Sequence, residues 1–170
     1  MSADDVSGDA PSELPQEPTP GGGGMIELSL QRIVIQDSTD RQHIYLCERE
    51  GERGFPILIG SNEALEIHRV VHGVETGRPL THELVHKTIQ GLQANLKRVD
   101  IVSLRKNTYY AQLVLGEGLP EEEELEPTLA ADPERFVLVD ARPSDAIALA
   151  LRARCPIVVA EDVLAEASQE

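Results

Sequence analysis

The chain is poor in aromatic residues, with no tryptophan, two phenylalanines and three tyrosines among 170 residues. Its core must therefore be built from Leu, Ile, Val and Ala, and 41% hydrophobic residues suffice for one. Apolar runs stay far short of the roughly 20 residues of a membrane-spanning helix, so no membrane partner is expected. The two cysteines, Cys47 and Cys155, lie far apart. They read as free thiols in a reducing compartment, with a disulfide as the lesser alternative. The N-terminus lacks a basic segment followed by an apolar one, so a cytoplasmic location is expected. No Gly-rich phosphate loop follows a strand, and no G-x-S-x-G elbow, zincin motif or paired cysteines of a zinc ribbon occur. The sequence holds no complete catalytic motif.

Positive charge is also scarce, since the net charge is −15. Three stretches, 1–24, 117–134 and 161–170, hold seventeen of the thirty acids and no Lys or Arg. Thirteen acids therefore face all fifteen bases in the remaining body. Phosphate binding needs local rather than global positive potential, so the acidity weakens a nucleic-acid partner without excluding it.

Residues 1–24, rich in acid, Pro and Gly, cannot bury a core and are expected to be a disordered tail. From Met25 apolar residues alternate, with a phase slip at Gln31–Arg32 that a bulge would absorb. Strands around His43–Cys47 and Phe55–Ile59 complete an antiparallel meander. Ser61 is a candidate cap for a helix with the stripe Ala64, Ile67, Val70, Val71 and Val74. A second helix opens near Arg78-Pro79, its Leu84, Val85, Thr88, Ile89 and Leu92 facing the core. Runs 97–104 and 108–115 pair across Lys106-Asn107. The acidic segment 116–134 is expected to be an exposed loop. Phe136 to Val139 is all apolar, which suggests a central strand. A helix from Ser144 to Arg154, a strand at 155–159 and a short helix from Glu161 to Ala167 follow. Strands cluster between helices, so the expected fold is α+β: a mixed sheet carrying three or four helices, within a domain spanning 25–168.

The chain places an Arg-Pro step at two helix entrances, Arg78-Pro79 and Arg142-Pro143. Polar residues follow each: Thr81-His82-Glu83 and Ser144-Asp145. A helix N-terminus offers free N–H donors and partial positive charge, and arginine adds a fork that matches phosphate. Two readings stand: Arg78 and Arg142 hold phosphate with Thr81 and Ser144, or each pairs with a carboxylate such as Asp140 or Asp145 and braces its turn. Asp140, Asp145 and Glu63 are candidate oxygen ligands for Mg²⁺ or Mn²⁺, and Asp140 and Asp145 candidate general bases. His82, beside a helix entrance, is a candidate proton carrier. The spaced pairs His68/His72 and His82/His86 lack further metal ligands and read as helix surface, with His82 set apart by its position. Tyr109 and Tyr110 face opposite sides of a strand, one of them either stacking a base or packing in the core.

At these residues the chain resembles the bifunctional nuclease (BFN) domain family. The resemblance is carried by Ile57-Leu58-Ile59-Gly60 with Glu63, by Arg78-Pro79-Leu80-Thr81-His82-Glu83-Leu84 and by Asn107-Thr108-Tyr109-Tyr110-Ala111. A longer segment, Asp140 to Arg152 followed by Pro156-Ile157, completes it. The resemblance implies a compact α+β domain that self-associates, with DNase and RNase activity. Its shared motif positions are Arg78, Thr81, His82, Asp140, Arg142, Ser144 and Asp145; Glu83 stands where Asp is common. The expected function is metal-dependent hydrolysis of phosphodiester bonds in DNA and RNA. The alternative is a non-catalytic module binding an anion or a partner protein.

Overall fold

A computed structural model describes residues 24–36, 40–117 and 136–168. The expected tail and acidic loop lie almost entirely outside the described residues. Among these residues one seven-stranded sheet carries four helices, in the order β3-β2-β1-β7-β4-β5-β6. The strands are β1 (Met25–Val34), β2 (Arg41–Glu48), β3 (Gly54–Gly60), β4 (Ala94–Arg105), β5 (Thr108–Glu117), β6 (Phe136–Ala141) and β7 (Ile157–Ala160). The helices are α1 (Ser61–Val71), α2 (Thr81–Gly91), α3 (Pro143–Ala153) and α4 (Glu161–Ala167). β4 and β7 pair in parallel and every other neighbouring pair is antiparallel. The expected α+β class and N-terminal meander are what the chain forms.

The meander follows from strict alternation: Phe55, Ile57 and Ile59 are buried while Pro56 and Leu58 are exposed. The β1–β2 register passes from Leu30↔Leu46 to Arg32↔Tyr45, so Gln31 is the extra residue of the expected bulge. Lys106 and Asn107 both take positive φ, 49° and 59°, as a two-residue hairpin turn between β4 and β5 requires. The ring of Phe55 on β3 stacks on Tyr109 of β5, 5.2 Å between centroids. These strands are first and sixth in the sheet, so the sheet curls around its core. α3 lies inside that curl against α1 and α2, with Ala146 to Ala150 all buried.

Several helix and strand expectations need correction. Phe136 to Val139 belong to β6, which is an edge strand and not a central one. Val137 is 63% and Leu138 55% exposed, so an apolar run marked a surface here. β7, buried at all four positions, holds the centre instead. Gly60, not Ser61, is the N-cap residue of α1, and the Ser61 hydroxyl accepts a hydrogen bond from Gln42 Nε2 at 3.2 Å. The α1 stripe stops short, leaving Val71 and Val74 exposed. α2 buries only Ile89 of its expected stripe, and Leu84, Val85, Thr88 and Leu92 face outward. The second helix begins at Thr81 after an N-cap at Leu80, so Pro79 lies ahead of it; Pro143 does occupy the first turn of α3.

Candidate functional site

Three helices begin at one place. Glu63 is the third residue of α1, His82 the second of α2 and Asp145 the third of α3. Arg142, the N-cap residue of α3, ties them together. Its Nε donates to Asp145 Oδ2 at 2.6 Å, and its Nη2 donates to Asp145 Oδ1 at 3.0 Å and to Glu63 Oε1 at 2.8 Å. His82 Nε2 lies 2.9 Å from Asp145 Oδ1. The local sequence accounts for this. β6 ends at Ala141, Arg142 stays extended (φ −65°, ψ 142°) before Pro143, and the chain turns directly into α3. That geometry leaves the arginine side chain at the tip, two-thirds exposed.

The charges are balanced within the cluster. Burial pushes the Asp145 carboxyl upward, but hydrogen bonds from Arg142 and His82 outweigh it and hold it below the usual carboxylate range. Bonds to Asp145 first, and Glu63 second, raise the Arg142 guanidinium further above its ordinary value. Because the folded-state value of Asp145 is depressed, its stabilising contribution is fully present above its unfolded value near pH 4 and is lost as pH falls through the folded value. A shallower acid limb is the expected result for Asp145→Asn, measured as melting temperature against pH.

The structure joins some candidates and separates others. Glu63, His82, Arg142 and Asp145 form one network. Asp140 makes none of the bonds of this network: it is exposed on β6, opposite Gln112 of β5. Arg78 is exposed in the link before α2, where its carbonyl accepts the Thr76 hydroxyl at 2.8 Å. Thr81 is exposed in the first turn of α2, and Ser144 in the first turn of α3 is buried, 8% exposed. Of the two readings of Arg142, the carboxylate brace is present, with Asp145 and with Glu63.

Asp140, Asp145 and Glu63 do not fit a prepared divalent-ion site. No cluster of three His, Cys, Asp or Glu side chains suited to a metal occurs among the described residues. The Asp145 and Glu63 oxygens already accept from Arg142, and an ion there would have to displace that guanidinium. His68 and His72 are exposed as expected, their rings 4.1 Å apart. His86 is not plain surface: it is partly buried, its Nδ1 is sealed from solvent without a partner, and burial, then Arg152, lowers its basicity.

Sequence reasoning missed a second network. Glu66 of α1, 3% exposed, accepts from Arg69 at 3.0 Å and from Arg152 of α3 at 2.6 Å. The available signal was an acid one step from Ile67 on the buried stripe, with an arginine three residues on. A cavity of about 470 Å³ lies at the far end of α3, lined in part by Arg69, Glu83, Arg152 and Arg154. None of the four network residues lines it.

The family follows from this frame and from comparison. The bifunctional nuclease domain matches residues 44–170, which takes in every element from most of β2 onward. The chain belongs to the bifunctional nuclease domain family. It is 38% identical over 143 residues to the uncharacterized proteins MT1877 and Rv1829 of two Mycobacterium tuberculosis strains. Those matches cover 84% of this chain and 76% of each relative.

Proposed function

We propose that the chain hydrolyses phosphodiester bonds of DNA and RNA where α1, α2 and α3 begin. The observation that carries this reading is the convergence of three helix N-termini on Arg142 and the His82–Asp145 pair. Each N-terminus contributes partial positive charge and unpaired N–H groups, which suits a phosphate. The Arg142 side chain is two-thirds exposed and its hydrogen bonds among the described residues run through Nε and Nη2, so Nη1 is the donor left for a phosphate oxygen while the other two stay braced. With Nε2–H donating to Asp145, the Nδ1 of His82 is the acceptor that removes a proton from attacking water. The water oxygen bonds to phosphorus, the bond to the leaving sugar oxygen breaks, that oxygen takes up a proton from solvent, and His82 returns the water's proton to solvent. The helix N–H groups and Arg142 stabilise the added negative charge. Water as nucleophile serves DNA and RNA alike, and contacts to phosphate carry no sequence information.

Asp145 is the positioning residue for His82, and Glu63 for Arg142. Arg78 and Thr81, exposed beside the start of α2, supply outer phosphate contacts. Ser144 and Asp140 take no part in the proposed chemistry.

The chain also self-associates in this reading, through the apolar edge strand β6 and the outward face of α2. Leu138→Lys is expected to shift the mass measured by light scattering toward the monomer; an unchanged mass would remove β6 from the contact. The proposed location is the cytoplasm, where nucleic acid and free thiols coexist; burial pushes the Cys155 thiol up to about 12, an inert value.

One specific observation favours the non-catalytic alternative: two carboxylates already occupy Arg142, as they would in a purely structural brace. The two readings separate in one assay. Purified chain is incubated with labelled single-stranded RNA, single-stranded DNA and duplex DNA, with Mg²⁺, Mn²⁺ or chelator, beside an equally folded Arg142→Ala variant. Cleavage lost in the variant supports the nuclease reading, and the chelator arm reads metal dependence. Equal cleavage by both proteins moves the activity elsewhere.

A further inference from the structure

We infer that the β4–β5 hairpin is a stacking platform that feeds single-stranded nucleic acid to the Arg142 site, with Tyr110 as its base-binding surface. The inference rests on the proposed function and names the substrate class of that site. The two adjacent tyrosines have separate fates. Tyr109 turns inward onto Phe55, whereas Tyr110 turns to the other face of the sheet and is 39% exposed. The guanidinium of Arg105 lies 5.6 Å from the centre of the Tyr110 ring. Lys106 stands exposed at the turn, and neither Arg105 nor Lys106 forms an ion pair among the described residues. Arg105 beside the ring and Lys106 at the turn thus give this end of the hairpin positive charge that no ion pair among the described residues offsets.

The register places this patch. The β5–β6 register ends at Ala111↔Ala141, and Tyr110 and Arg142 are the residues that adjoin this last pair, one on each chain segment. The hairpin turn lies about three residues beyond, roughly 10 Å along the strand. A strand of nucleic acid whose phosphate sits at Arg142 thus runs out over Tyr110 toward Lys106. An aromatic face takes any base but only an unpaired one, because bases in a duplex already stack on each other. Asp140, diagonal to Tyr110 across β5 and β6 and on the same face, bounds the patch with negative charge. Single strands are therefore the preferred substrate, and binding is tolerant of sequence.

The test measures binding in a His82→Ala background, so that cleavage does not enter. The full chain is titrated into a short labelled single-stranded DNA and into its duplex, followed by fluorescence anisotropy at several salt concentrations. Single strands are expected to bind more tightly than duplex. Tyr110→Ala should weaken single-strand binding about 5- to 150-fold, while Tyr110→Phe keeps it. Lys106→Glu, at an exposed turn, should weaken binding and flatten its salt dependence. Unchanged affinity in Tyr110→Ala and Lys106→Glu overturns the platform, as does absent binding by the parent. Tyr110-dependent binding by a protein that never cleaves keeps the platform and removes the nuclease reading. His82-dependent cleavage with Tyr110-independent binding does the reverse.

Discussion

Glu66→Ala is expected to destabilise the fold by about 3–5 kcal/mol, seen as a large fall in the denaturant midpoint. Glu66 is 3% exposed and accepts from two arginines, Arg69 on its own helix and Arg152 on α3. Removing it leaves Arg152, whose side chain is only 22% exposed, with one distant acid, Glu83 at 3.8 Å. The Arg152 Nε is already sealed without a partner, so the guanidinium has little hydration to fall back on. His86, whose basicity burial and Arg152 lower, carries no negative charge that could replace Glu66. The pair joins α1 to α3, the helix at the centre of the packing. Replacing Glu66 and Arg152 together by methionine should recover much of the loss, since desolvation of both charges then disappears. A Glu66→Ala variant within about 0.5 kcal/mol of the parent, the range of ordinary surface changes, would contradict this account of the α1–α3 contact.

His82→Ala is expected to lower the rate of oligonucleotide cleavage by about 10²–10⁴-fold, the usual range for a positioned general base. Little change in stability should accompany it, because His82 is partly exposed in the first turn of its helix and touches the network through one bond. The remaining activity would come from Arg142 and the helix N-termini, which bind the phosphate without moving a proton. A full-rate His82→Ala protein would reduce His82 to a helix-entrance contact.

The fold was legible where one face of an element is buried. Alternation of Phe55, Ile57 and Ile59 fixed β3, and the slip at Gln31 fixed a bulge. It was illegible where apolar residues face outward. Val137, Leu138 and Val139 read as interior because hydropathy cannot distinguish a core strand from an uncovered edge. Leu84 and Leu92 misled the reading of α2 in the same way. Half of the site was also legible. The Arg-Pro step and the acid behind it announced a charged helix entrance, and His82 stood out by the same signature. The convergence of Glu63 with them depends on how α1 packs against α3, a contact between residues 79 apart that no local pattern encodes. Asp140 stays outside the bonded network, since neighbouring acids in sequence need not share a direction once a strand turns into a helix.

The most direct test of the central claim compares the parent with Asp145→Asn on one labelled single-stranded RNA, both proteins purified identically and both assayed well below their own melting temperatures at neutral pH. Asparagine keeps the shape of the side chain but removes the carboxylate that orients His82. The account predicts robust cleavage by the parent and a rate at least about a hundredfold lower in Asp145→Asn. Equal rates in the two proteins, or no cleavage by the parent with either divalent ion or chelator, would contradict it.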